Sequence, residues 1–276
     1  MMAMLTFKQV DARANLERDG FVIVDLLDTD SVSLLLDLHA KFSARMRGDF
    51  IATPMIDDHE LQTLVASGAG AVLGPRLHSV FMDAKLVGCG FAVKKGQRRA
   101  GLVPLHQDAT FVDETRFASL NIWCPLRDVD IKNGALVVVK GSHRCNRRPR
   151  PAYARFPYPD LLHIVRDGYL AVLKMRAGQA VVYNPSLWHG SGVNLQPQDR
   201  VAVVAVVADS AAQLLCFHHD GANRPRELEI FEVPDDFYVG HVAGTRPRRG
   251  TSRGHIVFET PDLTPDGFRE ACRPAR

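Results

Sequence analysis

Between residues 86 and 208 the chain alternates short β-prone runs with turn residues: "LVGCGFAV", "ASLNIWCPL", "GALVVVKG", "QAVVYN" and "RVAVVAVVA", set off by Gly, Asn, Asp and Pro. Strand-length apolar runs at such close intervals predict antiparallel sheets, arranged as a sandwich or jelly roll, and not a parallel α/β sheet. Nearer the start, "RDGFVIVDLL" places turn chemistry at Asp19-Gly20 and a strand from Phe21. "DTDSVSLLLDLHAKF" then supplies cap residues at Asp28, Thr29 and Asp30, with Leu34, Leu35, Leu38 and Phe42 at helical spacing for core packing. The expected architecture is mainly β with flanking α-helices, a single domain over 1–276. Its helical N-terminal part runs to about residue 80, and its β core covers about 80–215.

Composition excludes several classes. The 276 residues are 46% hydrophobic and 24% charged, which suits a globular chain. A formal charge of +3 is too small to argue for a nucleic-acid partner. Five cysteines, odd in number and without a C-x-x-C, suggest neither a zinc ribbon nor a disulfide framework and fit a reducing cytoplasm. The opening "MMAMLTFKQVDAR" lacks a basic region followed by an apolar core, and "VAVVAVVA" is too short to span a bilayer. A soluble cytoplasmic protein without a membrane partner is expected.

The chemistry starts in "VPLHQDATF". In a strand, residues two apart share a face, so His106 and Asp108 would point the same way and Gln107 the other. An imidazole and a carboxylate on one face need one more histidine to make the facial triad of non-haem iron(II); taken alone, His-x-Asp is more often a polar turn or surface feature. "AGQAVVYNPSLWHGSGVN" offers His189, 83 residues on, at the start of another β-like run. Eleven residues later Arg200 heads an otherwise apolar strand, where an always-charged guanidinium needs a partner if it turns inward. Its fork suits the far carboxylate of a dicarboxylate cosubstrate, a task Ser191 can share.

With "RDGFVIVDLL", "LHQDATF", "NGALVVVKGSH" and "AGQAVVYNPSLWHGSGVNLQPQDR" in this order, the chain resembles the phytanoyl-CoA dioxygenase (PhyH-like) family. The four blocks span most of residues 7–207, and the tail is poorly covered. The resemblance implies a double-stranded β-helix (a cupin-like jelly roll) that uses Fe(II), 2-oxoglutarate as cosubstrate and O2. It implies His106, Asp108 and His189 as metal ligands, Arg200 and Ser191 as contacts of the 2-oxoglutarate C5 carboxylate, and Trp123 as an aromatic lining that pocket. Lys140 stands before Gly-Ser-His where the family often has Pro. Related halogenases replace the carboxylate by a small residue, so Asp108 argues for oxygen transfer.

The expected activity is therefore oxidation, chiefly hydroxylation, of a C–H bond in a small-molecule substrate, in bacterial secondary metabolism, with succinate and CO2 as co-products. An acyl-CoA or carrier-bound acyl hydroxylase is the alternative within the family; a zinc hydrolase or a non-catalytic jelly-roll binding protein lies outside it. Arginine-rich segments 142–160 and 245–254, with "KKGQRR" at 94–99, border a site on a β scaffold or form a solvated surface; bordering a site, they would attract an anionic or carrier-bound substrate. His143 is expected to serve structure. His218 and His219, adjacent in a strand, would face opposite ways and struggle to share one ion.

Overall fold

The computed structural model describes residues 5–273 apart from residue 9, so the outermost residues of the expected domain, 1–4 and 274–276, lie outside it. The chain opens with α1 (Val10–Asp19), β1 (Phe21–Asp25), α2 (Thr29–Phe42), β2 (Phe50–Ala52) and α3 (His59–Val80). There follow β3 (Ala84–Lys94), β4 (Val103–His106), β5 (Ser119–Pro125), β6 (Leu136–Val139), α4 (Leu162–Arg166), β7 (Leu170–Val172) and β8 (Gln179–Tyr183). The last elements are β9 (His189–Ser191), β10 (Arg200–Asp209), β11 (Leu214–His218), β12 (Glu227–Val233), β13 (Thr251–Val257) and α5 (Pro265–Ala271). Among the described residues no helix is long and apolar enough to cross a membrane.

Two antiparallel sheets make the expected jelly roll. The larger has the order β1-β8-β5-β10-β3-β2, the smaller β4-β9-β6-β7. Alternation decides what each face of the larger sheet does. Leu120, Ile122, Cys124, Val201, Val203, Phe91 and Val93 point to one side and form a core with Leu35 of α2 and with Leu61, Val65, Leu73 and Leu77 of α3. Fully burying each such side chain contributes about 1.5–3 kcal/mol. Phe21, Trp123, Val181, Tyr183 and Ala202 point the other way and meet Leu136 and Val138 of the smaller sheet. The site lies on this inner face.

Turn chemistry fixes the start of the roll. Gly20 has φ +84°, and a Cβ there would lie 2.5 Å from His143 Nδ1, so the turn before β1 requires glycine on both counts. Asp28 caps α2 by accepting from the Ser31 N–H at 2.9 Å.

Three expectations are revised. Within the helical N-terminal part the strand expected from Phe21 is β1, and a further strand, β2, was not anticipated; the two are the edge strands of the larger sheet. β structure also continues past 215, as a third sheet of β11, β12 and β13 with its own core around Leu214, Phe231 and Val233. Leu34, expected in the core, is 58% exposed, since Leu35 and Phe42 turn the apolar stripe of α2 away from it.

Candidate active site

β4 ends at His106 and β9 begins at His189, and the register sets the two opposite each other. Directly opposed residues share a face, so the imidazoles meet with ring centroids 4.2 Å apart. Asp108 lies just past the end of β4 and not within the strand as the i, i+2 reading required. Its N–H is held by the Pro185 carbonyl at 2.9 Å. Between them Gln107 turns away, as expected, and its amide donates to Asn146 O and Ser186 O at 2.9 and 2.7 Å. His106 Nε2 lies 3.5 Å from Asp108 Oδ1, and His189 Nε2 lies 3.4 Å from Oδ2. One ligand atom from each residue falls within 4.8 Å of the others.

The surroundings decide which atoms point at the shared position. Each Nδ1 lies 2.9 Å from the carbonyl two residues back, Pro104 O for His106 and Leu187 O for His189. A carbonyl only accepts, so Nδ1 carries the proton and each Nε2 presents a lone pair. Tyr183 Oη and Asn121 Nδ2 donate to Asp108 Oδ2 at 2.9 and 2.5 Å. Arg150 Nε donates to the Asp108 carbonyl at 2.9 Å, and its Nη2 is paired with Glu114 at 2.9 Å.

Protonation follows from this packing. Burial works to raise the Asp108 pKa, but the His189 and His106 imidazoles and the Tyr183 hydroxyl outweigh it and hold the carboxylate well below its usual range. Burial lowers His189 to about 4, with Asp108 opposing only in part. Both groups are therefore in the ligand-competent form at neutral pH.

Arg200 opens β10 and is 2% exposed. Its Nη1 donates to Ala92 O at 3.1 Å, its guanidinium lies 5.1 Å over the Trp123 ring, and its buried Nε has no partner. Burial pushes its pKa down to about 9. Ser191, two after His189 in β9, is buried on the same face as the histidine. Behind His189, Trp188 is stacked between Tyr158 and Phe268 of α5, with centroids 5.3 Å away on each side.

The sequence reading missed Tyr183, Asn121, Arg150, Glu114 and the buried Lys94. Tyr183 and Asn121 carried an inward-register signal, since they stand opposite each other across β8 and β5. The other histidines stay apart from this group. His143 Nε2 sits 3.2 Å from Glu17 O, a structural role, and His219 Nε2 sits 3.1 Å from Pro225 O. The arginine-rich segments are largely committed to the fold. Arg144, Arg148 and Arg150 donate to backbone carbonyls, while Arg246, Arg249 and Arg253 pair with Glu229, Asp236 and Glu232.

Comparison with known proteins places the chain in a family. The family model described as phytanoyl-CoA dioxygenase (PhyH) matches residues 17–202. The chain belongs to the phytanoyl-CoA dioxygenase family. Members of this family use iron(II), 2-oxoglutarate and dioxygen. The peroxisomal phytanoyl-CoA dioxygenase of Bos taurus is 27% identical over 167 residues, 56% of this chain and 47% of that protein. The chain spans about a third to a half of the length of the curated relatives it matches. Among solved structures, the non-haem α-ketoglutarate-dependent carbocyclase SnoK from nogalamycin biosynthesis shares the fold with TM-score 0.57 and 17% identity, over 93% of this chain and 100% of that one. HygX from Streptomyces hygroscopicus, solved with nickel and 2-oxoglutarate bound, shares it with TM-score 0.52 and 13% identity, over 74% and 88%.

The residues of this PhyH-family chain fit that equipment. Two imidazole nitrogens and one carboxylate form a donor set suited to iron(II), and the unpartnered Arg200 Nε is a donor available to a carboxylate.

Proposed function

We propose that this protein is an iron(II)- and 2-oxoglutarate-dependent oxygenase that hydroxylates a C–H bond of a small molecule and forms succinate and CO2. In this reading His106, Asp108 and His189 hold the metal, and Arg200, Ser191 and Trp123 receive the distal carboxylate of the cosubstrate. The observation that carries it is the convergence of three ligand atoms within 4.8 Å, on the inner face that also holds a buried arginine with an unpartnered Nε. When bound, iron and 2-oxoglutarate supply the activation of dioxygen.

The chain's own part is positioning. Pro104 and Leu187 carbonyls orient the two imidazoles, and Tyr183 and Asn121 fix the Asp108 rotamer through Oδ2. Trp123 lies against the Arg200 guanidinium and restrains it before the carboxylate arrives. The hydrophobic wall of Trp123, Val181 and Ala202 keeps water from the inner face. The Asp108 carboxylate occupies the position that a halogenase leaves open, which favours oxygen over halide transfer.

Secondary metabolism as the setting draws support from SnoK and from the epimerase SnoN, both proteins of nogalamycin biosynthesis. An acyl-CoA substrate draws support from the name of the bovine relative. The commitment of so many loop arginines to carbonyls and acids removes much of the case for an anionic carrier.

The test is anaerobic titration with iron(II) and then 2-oxoglutarate, followed by oxygen. A visible charge-transfer band and oxygen-dependent succinate are expected, and both should vanish in His106→Ala. A zinc hydrolase would show neither, and a binding protein would show the band without succinate.

A further inference from the structure

Lys94 ends β3 with no solvent exposure. The register sets it opposite Arg200 of β10 and Phe50 of β2, so the three side chains share the inner face at one end of the larger sheet. Its ammonium donates to three backbone carbonyls: Gly101 at 2.5 Å, Gly192 at 2.6 Å and Ser191 at 3.2 Å. Gly101 lies two residues before β4, which carries His106, while Ser191 and Gly192 close β9, which carries His189. One side chain thus ties the two strands of the triad to the strand beside Arg200.

The charge at this end is as unusual as the tether. A lysine is almost never fully buried without an acidic partner. Among the described residues neither Lys94 nor Arg200 has a carboxylate within ion-pair distance; the nearby Asp199 pairs with the exposed-side Lys95 at 2.8 Å. Burial and the Arg200 charge act together to lower the Lys94 pKa to about 7. An arginine and a lysine side by side with no countercharge form a place prepared for an anion, whose arrival would restore the full charge of Lys94.

We propose that Lys94 is a positioning residue for the cosubstrate, holding Ser191 beside Arg200 and adding the second charge that selects a dicarboxylate 2-oxo acid over a monocarboxylate one. This rests on the reading of the site as a 2-oxoglutarate site. Lys94 uses its three donors on the backbone, so it acts through Ser191 and through charge, not by touching the acid.

The test uses the whole protein with iron(II) under anaerobic conditions. Dissociation constants are measured by calorimetry for 2-oxoglutarate and for 2-oxopentanoate, which lacks the distal carboxylate. Lys94→Met should weaken 2-oxoglutarate about 10- to 100-fold, the scale of a charged buried contact, and move 2-oxopentanoate by less than about threefold on the same grounds. kcat at saturating 2-oxoglutarate should stay within about threefold, giving a split between KM and kcat. A natively folded Lys94→Met that keeps the wild-type ratio of the two constants, or weakens both acids equally, overturns the proposal. If that variant does not fold, Lys94→Gln, which keeps amide donors and removes the charge, is judged by the same ratio. Wild-type protein that binds no 2-oxoglutarate refutes the site reading itself, an outcome separate from an unchanged ratio.

Discussion

Replacing Arg200 by Met should make the ligand-free protein more stable while destroying its response to 2-oxoglutarate. Burial lowers the guanidinium from its usual 12.5 to about 9. At about 1.4 kcal/mol per pH unit this corresponds to about 5 kcal/mol of destabilisation while the group stays charged. The folded pKa is the depressed one, so the penalty is complete below pH 9 and is relieved only between 9 and 12.5; at pH 7.5 it is fully present. Against it stand one hydrogen bond to Ala92 O and the contact with Trp123, together about 2–4 kcal/mol. Met fills similar space without charge, leaving a net gain of about 1–3 kcal/mol, or about 2–10 °C in Tm for a chain of this size. The assay is thermal unfolding at pH 7.5 with iron(II) under anaerobic conditions, with and without 2-oxoglutarate. Wild type should gain Tm from 2-oxoglutarate and Arg200→Met should not, its affinity falling about 100-fold or more. A variant that melts below wild type, or that keeps the 2-oxoglutarate shift, would refute the idea of a buried charge awaiting its carboxylate.

Asp108→Ala should abolish iron-dependent succinate formation and lower iron(II) affinity at least tenfold, read by metal titration; wild-type turnover with bound iron would sink the ligand assignment. Arg150→Met removes the donor to the Asp108 carbonyl and leaves Glu114 without its partner. It should lose about 3–5 kcal/mol in urea unfolding, and a change below about 1 kcal/mol would show that the pair is incidental. His143 is 1% exposed, and burial, helped by Arg144 and Arg147, lowers its pKa to about 4. The unfolded chain binds the extra proton between pH 6.5 and 4, so stability falls as pH drops through that window, by about 3 kcal/mol in all. His143→Gln should flatten this slope in unfolding curves at pH 7.5 and 4.5, and an unchanged slope would reject the assignment.

The β core was legible because its strands carry strand signals: β3, β5, β6, β8 and β10 each overlap a run that apolar residues and flanking turn residues mark out. α3 was not. Its "ASGAGAVLG" segment has the composition of a loop, and glycine disfavours a helix by about 0.5–1 kcal/mol per residue. What decides is tertiary packing: Gly68 lets Leu38 of α2 approach to 2.9 Å of where a Cβ would stand, and Leu61, Val65, Ala69, Leu73 and Leu77 make one buried stripe. The residues proposed as ligands were legible from type, order and family pattern. Their support was not, because Arg150 and Lys94 act through backbone carbonyls, and which carbonyl faces a side chain depends on the folded register. The same reason left the arginine-rich loops open between a site border and a solvated surface; in the fold Arg144, Arg148 and Arg150 donate to backbone carbonyls and Arg246, Arg249 and Arg253 sit in exposed ion pairs.

Trp188 stands between His189 and the C-terminal helix, and that stacking has a practical meaning. The ring next to a proposed ligand is clamped on its far side by Phe268, a residue 80 positions along the chain and wholly enclosed. The family match stops at residue 202, inside β10. A fragment cut to that match would discard Phe268, one face of the Trp188 stack, together with most of β10. Any minimal version of this protein built for crystallography or engineering should retain the segment through α5.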